Sequence, residues 1–219
     1  MERTITVQGN GKISVRPDWI ELRITLNTLN PVYGEMIRDS EEKLSQIQNS
    51  VVQSGFSEDV LKTLHYSVHP EYTSRMDESG EYKEYFQGFR CTHELQLSFP
   101  LSMEELDKVM SALSACSGEP GLQVHFTVKD TEVLSSQLLA LAAEDARKKA
   151  EALCSASGVR LGALLQIRSG NMHSEWNSPT LYDVAEEAVS MRKYGAVQGF
   201  VPDDIVSSES AVFIWAIES

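Results

Sequence analysis

Histidine and cysteine are the side chains in this sequence best suited to proton transfer, metal binding or nucleophilic attack near neutral pH. His65 and His69 lie in a stretch whose apolar residues alternate as in a β-strand. A strand rises about 3.3 Å per residue, so the two imidazoles stand roughly 13 Å apart, too far to share a metal ion directly. They read as part of a solvated face. His93 has the parity of Phe89, Cys91 and Leu95 and is expected to point inward as a core histidine. With Cys91 two residues before it, it also supports an alternative, a ligand-binding or thiol-based redox-responsive module using a cleft near Cys91 and His93. His173-Ser174-Glu175 matches half of a zinc-deaminase pattern, which needs a Pro-Cys-x-x-Cys downstream. The last cysteine is Cys154, upstream, so the match is one of chance.

Other chemical signatures are missing from the sequence. There is no Gly-x-Ser-x-Gly elbow and no His-Glu-x-x-His. Asp and Glu number 32, so any chosen carboxylate pair is uninformative. The three cysteines, Cys91, Cys116 and Cys154, are sparse, odd in number and without a Cys-x-x-Cys, which points to reduced, buried thiols. The expectation is a protein that is not an enzyme, with no catalytic, metal or cofactor-binding residue. Gly9-Asn10-Gly11 invites a phosphate-loop reading. That would need a third glycine opening a helix, or Gly-Lys-Ser/Thr. Here Gly11-Lys12 runs on into Ile13-Ser14-Val15. Ile5, Val7, Gly9, Gly11, Ile13 and Val15 keep one parity, which fits a single long, kinked strand with both glycines on the core face. A helix or another strand could approach closely there.

The elements that would position these residues follow from periodicity. Arg16-Pro17-Asp18 is a turn. Ile20, Leu22, Ile24 and Leu26 then mark a strand with one wet face, hence an antiparallel sheet. Ile37, Leu44, Ile47 and Val51 form a helical stripe over about 33–54, closed by Gly55. Val60, Leu64, Tyr66 and Val68, then Phe89, Cys91, Leu95, Leu97 and Phe99, mark two strands joined by a polar tip, TSRMDESGEYKE. Ser102 and Glu105 make a capping box for a second helix ending near Gly118. A strand at 122–128, a long helix at about 131–157 closed by Gly158, a strand at 161–167 and a last strand at 211–217 complete the chain. Residues 170–203 read as irregular, with a short helix around Leu181 to Met191.

The expected fold is therefore α+β, with antiparallel sheets, helices on one face and the order ββαββαβαββ. Trp19 to Gly55 and Leu122 to Gly158 have the same spacing, which suggests two βαββ-like units with an intervening helix. One body over 1–219 is expected, the alternative being two closely joined lobes, an N-terminal βαββ lobe with its long hairpin at 1–100 and a C-terminal lobe at 101–219.

A net charge of −13 disfavours nucleic acid and anionic lipid as partners, because both would be repelled. No run of about 18 apolar residues spans a membrane. The start, MERTITVQG, lacks the apolar core of a secretory signal, so the expected location is cytoplasmic, the alternative being export with a leader removed. In DARKKAEAL, Glu144 with Lys148 and Asp145 with Lys149 are spaced to pair along a helix. Tyr72, Tyr82 and Tyr85 crowd the hairpin tip and are candidate contacts between copies of the chain, since aromatics anchor interfaces.

The segments ITVQGNGKISVRPDWIELRI, YFQGFRCTHELQLSF, AAEDARKKAEALCSASGVRLGALLQI and SAVFIWAIE, in this order, resemble the SIMPL-domain family (DUF541), which includes 26-kDa periplasmic immunogenic and oxidative-stress-defence proteins. The resemblance covers nearly the whole chain. It implies an α+β fold, homo-oligomers, and a broad link to stress defence or signalling, and it brings no reaction. Gly9, Gly11, Pro17, Asp18, Gly88 and Arg90 match the family as structural signature positions. The resulting expectation is a non-enzymatic protein that self-assembles through exposed hairpins and sheet edges, with a further protein partner left open.

Overall fold

A computed structural model describes residues 3–76, 80–169, 175–184 and 201–218. The elements are β1 (Thr4–Val15), β2 (Trp19–Asn30), α1 (Tyr33–Gln53), β3 (Leu61–Met76), β4 (Tyr82–Pro100), α2 (Met103–Ser114), β5 (Gly121–Thr127), α3 (Thr131–Ala156), β6 (Arg160–Ser169), β7 (Leu181–Val184) and β8 (Ile205–Glu218), all expected but β7. The fold is α+β with two antiparallel sheets, ordered β1-β8-β6 and β3-β4-β2-β5-β7.

Two differences from the sequence reading concern short segments. Leu181–Val184 pairs with β5 as a strand, so no helix begins at Leu181; the rest of the helix expected there lies outside the described residues. Glu58–Val60 is a turn of 3₁₀ helix, and β3 starts only at Leu61. Among the described residues no helix is long and apolar enough to cross a membrane.

The chain forms two compact units, and their boundaries differ from a 1–100 and 101–219 division. One comprises Met1–Asp18, Thr127–Pro179 and Pro202–Ser219, the other Trp19–Phe126 with Thr180–Val201. The second βαββ-like repeat does not build one sheet either. β5 belongs to the five-stranded sheet, whereas β6 and β8 belong to the three-stranded one.

In the larger unit, β2-α1-β3-β4-α2-β5 with spatial order β3-β4-β2-β5 is a split βαβ arrangement. Ile20, Leu22, Ile24 and Leu26 of β2 alternate into a core with Leu95 and Leu97 of β4, Ile47 and Val51 of α1, and Leu106, Val109, Met110 and Leu113 of α2. Burying each such side chain contributes about 1.5–3 kcal/mol. Gly55, at φ +96°, ends α1 in the left-handed conformation that favours glycine. Ser102 Oγ accepts the Glu105 amide at 3.3 Å and starts α2 as the capping box predicts.

In the other unit, β1 pairs with β8 along its whole length, from Thr4↔Ala216 to Val15↔Ile205. Helix α3 lies on this pair with a stripe of small residues, Ala142, Ala146 and Ala150, all buried. Its larger Leu141 and Leu153 are exposed.

Candidate functional site

The seam between β1 and α3 answers the glycine question first. A Cβ on Gly9 would overlap the Ala142 carbonyl oxygen and come 2.7 Å from Ala146 Cβ, and one on Gly11 would overlap the Leu138 carbonyl oxygen. Bare backbone is what lets α3 sit so close. The Asn10 amide does hold an anion, but it is the protein's own: it donates to Asp145 Oδ2 at 2.8 Å. Lys149 reaches the same oxygen at 2.6 Å. The Lys149 ammonium first, and the Asn10 amide second, hold the Asp145 carboxyl below its usual pKa. Lys148 pairs with Glu144 at 2.6 Å, so both i,i+4 pairs read in the sequence are formed.

Arg16, Pro17 and Asp18, expected as a turn, form an irregular link after β1. Pro17 is buried. The Asp18 amide donates to the Thr127 carbonyl at 3.0 Å, and Asp18 Oδ1 accepts the Lys129 amide at 2.9 Å.

Parity in β4 carries Cys91 and His93 inward, as their spacing predicts. Cys91 is fully buried and lies 3.3 Å from Ser40 Oγ of α1. His93 Nε2 is 3.0 Å from Thr63 Oγ1, and the Tyr66 ring meets the imidazole edge-on at 5.1 Å. Burial pushes the His93 pKa below its ordinary value. The hydrogen bond to Cys91, and burial after it, push the Tyr66 phenol up to about 12. Tyr66 and His93 are thus neutral at pH 7, and a reagent reaches the Cys91 thiol only if strand or helix opens. His65 and His69 face outward on β3 and are exposed. His173 lies outside the described residues. Among the described residues, no three His, Cys, Asp or Glu side chains converge as metal ligands would.

Among the described residues, the hairpin gathers several exposed apolar side chains, Tyr72, Met76, Tyr82, Tyr85 and Phe86. β2 runs out at Asn30, opposite Phe89, while β3 and β4 continue as a two-stranded ribbon to Met76↔Tyr82. Gly88 and Arg90 mark its root. Gly88 has φ +151°, and a Cβ there would stand 2.7 Å from the Asn30 carbonyl oxygen. A register shift falls at the same point, between Glu71 and Tyr72. Arg90 grips Glu71 across the strands with two nitrogens, Nη2 lying 2.7 Å from Oε1, and holds that carboxyl below its usual pKa. This geometry is the directional fork that only Arg supplies. From the root outward run edge-on ring contacts, Tyr33 to Phe89 at 5.4 Å, Phe89 to Phe86 at 5.3 Å and Phe86 to Tyr72 at 5.6 Å. Tyr72, Tyr82 and Tyr85 are 55%, 71% and 45% exposed. β3 is the edge of its sheet and has no buried residue along its 16 positions.

A second edge strand, β6, unpaired on its outer side among the described residues, is a surface that the alternation in the sequence did not single out. The β6–β8 register slips between Leu161 and Leu164 and again between Leu164 and Gln166. Such irregularities re-aim side chains. Here they shape a groove of about 410 Å³ with Leu161, Leu164 and Ile167 on its walls and Trp215 beneath. Phe213 and Trp215 stack at 5.5 Å and 17°. Arg147, paired with Glu151 at 2.9 Å, stands on the α3 side.

Two antiparallel sheets, a glycine-lined strand under a helix and a projecting aromatic ribbon define an α+β protein whose marked features are packing seams and open edges. A family model described as SIMPL, protein of unknown function (DUF541), matches residues 5–211, and the chain belongs to that family. No curated protein matches the chain.

Proposed function

We propose that this protein is a non-enzymatic assembly module that self-associates through its β3–β4 hairpin. The observation that carries this reading is β3, a 16-residue edge strand without one buried residue, extended into a ribbon of exposed aromatic rings. Open strand edges are templates for pairing unless they are covered. Large exposed apolar surface marks sites of association. Closed, symmetric assembly of identical copies is the common way to cover both. A setting in stress defence or signalling is part of the proposal and rests on the family resemblance alone.

The test is deletion of Thr73 to Lys83 with a short Gly-Ser turn in its place. Light scattering should then report a lower native mass than for the intact chain, with α1, α2 and their core still folded by circular dichroism. An unchanged oligomer mass would exclude the hairpin as the contact.

A further inference from the structure

The self-association just proposed needs a seat for the hairpin, and this inference, which rests on that reading, concerns where the seat lies. β6 is one of the two edge strands of the three-stranded sheet, β1 being the other, and among the described residues nothing pairs with its outer side. Leu164, Leu165 and Ile167 leave apolar surface exposed on both of its faces, at 48%, 45% and 55%. The strand carries Arg160 and Arg168 and no carboxylate. Arg147 stands beside the groove in its pair with Glu151, and Arg160 lies opposite Glu218 of β8.

Those charges argue against the simplest partner, a second β6. Antiparallel pairing of two β6 strands about Leu164 would set Arg160 of each copy opposite Arg168 of the other. Like charges directly opposed across a ladder are destabilising. The partner strand must instead be apolar and acidic. The ribbon has that character. Between Glu71 and Phe86 the sequence holds Glu71, Asp77, Glu78, Glu81 and Glu84 against Arg75 and Lys83. Among these, Glu71 is engaged with Arg90 at the root, and Glu81 and Lys83 also have interactions of their own.

We infer that the β3–β4 hairpin of one copy adds to the β6 edge of the next, with its tyrosines in the β6 groove and Glu81 and Glu84 beside the β6 arginines. Strand addition supplies affinity through main-chain hydrogen bonds, and pockets under alternate side chains supply selectivity. The wall formed by Leu161, Leu164 and Ile167 over Trp215 suits a flat aromatic side chain. Because seat and hairpin are different surfaces, the contact is head-to-tail. It closes into a ring or runs on as a filament.

Charge reversal with rescue tests the seat. Arg160→Glu with Arg168→Glu should reduce the native mass by light scattering to that of one copy at a concentration where the intact chain is oligomeric. Glu81→Arg with Glu84→Arg should do the same, and the four changes together should restore the oligomer. If the β6 reversal leaves the mass unchanged, or if each pair lowers it and their union does not restore it, the seat is wrong. Should the β6 reversal fail to fold, Arg160→Gln with Arg168→Gln tests the same point and should at least halve the mean mass; an unchanged mass again overturns the seat. Deletion of Thr73 to Lys83 separates the two levels. A lower mass on deletion, with no effect of the β6 reversal, sinks the seat and leaves the hairpin contact standing. No effect of either sinks both.

Discussion

Gly9 and Gly11 show how little room a helix leaves when it lies on bare backbone. Gly9→Ala would drive a methyl group into the Ala142 carbonyl oxygen and the Ala146 side chain. Backbone cannot step aside as a flexible side chain does, so the cost should be at least about 1–3 kcal/mol, the range for overpacking. Gly34 is the control, since nothing lies within 4 Å of a Cβ there. Gly34→Ala in α1 should stabilise by about 0.5–1 kcal/mol through helix propensity. Denaturant unfolding of both variants checks the contrast, and equal effects would contradict the close-packed seam. His93 gives a pH prediction. Burial lowers its folded pKa below 6.5, so the unfolded chain takes up the proton first as pH falls. The stabilisation is fully present above pH 6.5 and is lost as pH falls from there through the lowered folded value. His93→Gln should flatten the pH dependence of unfolding between about pH 7 and 5. A slope unchanged by the substitution would show that another group titrates there.

At the scale of elements, α2 illustrates a start signal that acts through one hydrogen bond. Ser102 Oγ satisfies the Glu105 amide, which has no partner within the helix. Ser102→Ala should cost about 1 kcal/mol, read as a lower unfolding midpoint with unchanged slope. The sequence made such elements legible because each carries its own period and its own stop. Unbroken parity through Asn10 meant one strand, and Gly55 and Gly158 mark helix ends at φ +96° and +71°. What stayed hidden was set by tertiary partners. Leu181–Val184 becomes a strand because β5 offers an edge there. The α3 stripe that packs is Leu138, Ala142, Ala146, Ala150 and Cys154, and the alanines in it, rather than Leu141 and Leu153, face β1 because Gly9 and Gly11 leave space there only for small groups. The β6 groove arises from register slips, which leave no trace in an alternating run. Of the candidate site, the tyrosines of the ribbon and the inward parity of Cys91 and His93 were legible. Arg90 and Glu71 lie 19 residues apart, and only pairing of the strands reveals their contact.

For the whole molecule, two compact units interleave along the chain, and among the described residues each has an edge strand with exposed apolar side chains, β3 in one and β6 in the other. Each copy carries a net charge of −13, so copies repel at long range. The proposed association would therefore have to draw on local apolar burial and matched charges at specific edges, against the screened repulsion. The native mass of the intact protein tests this account most directly. Light scattering across a dilution series should give a mass several times that of one 24.4-kDa chain, falling toward it on dilution. A single-chain mass at every concentration would contradict the account.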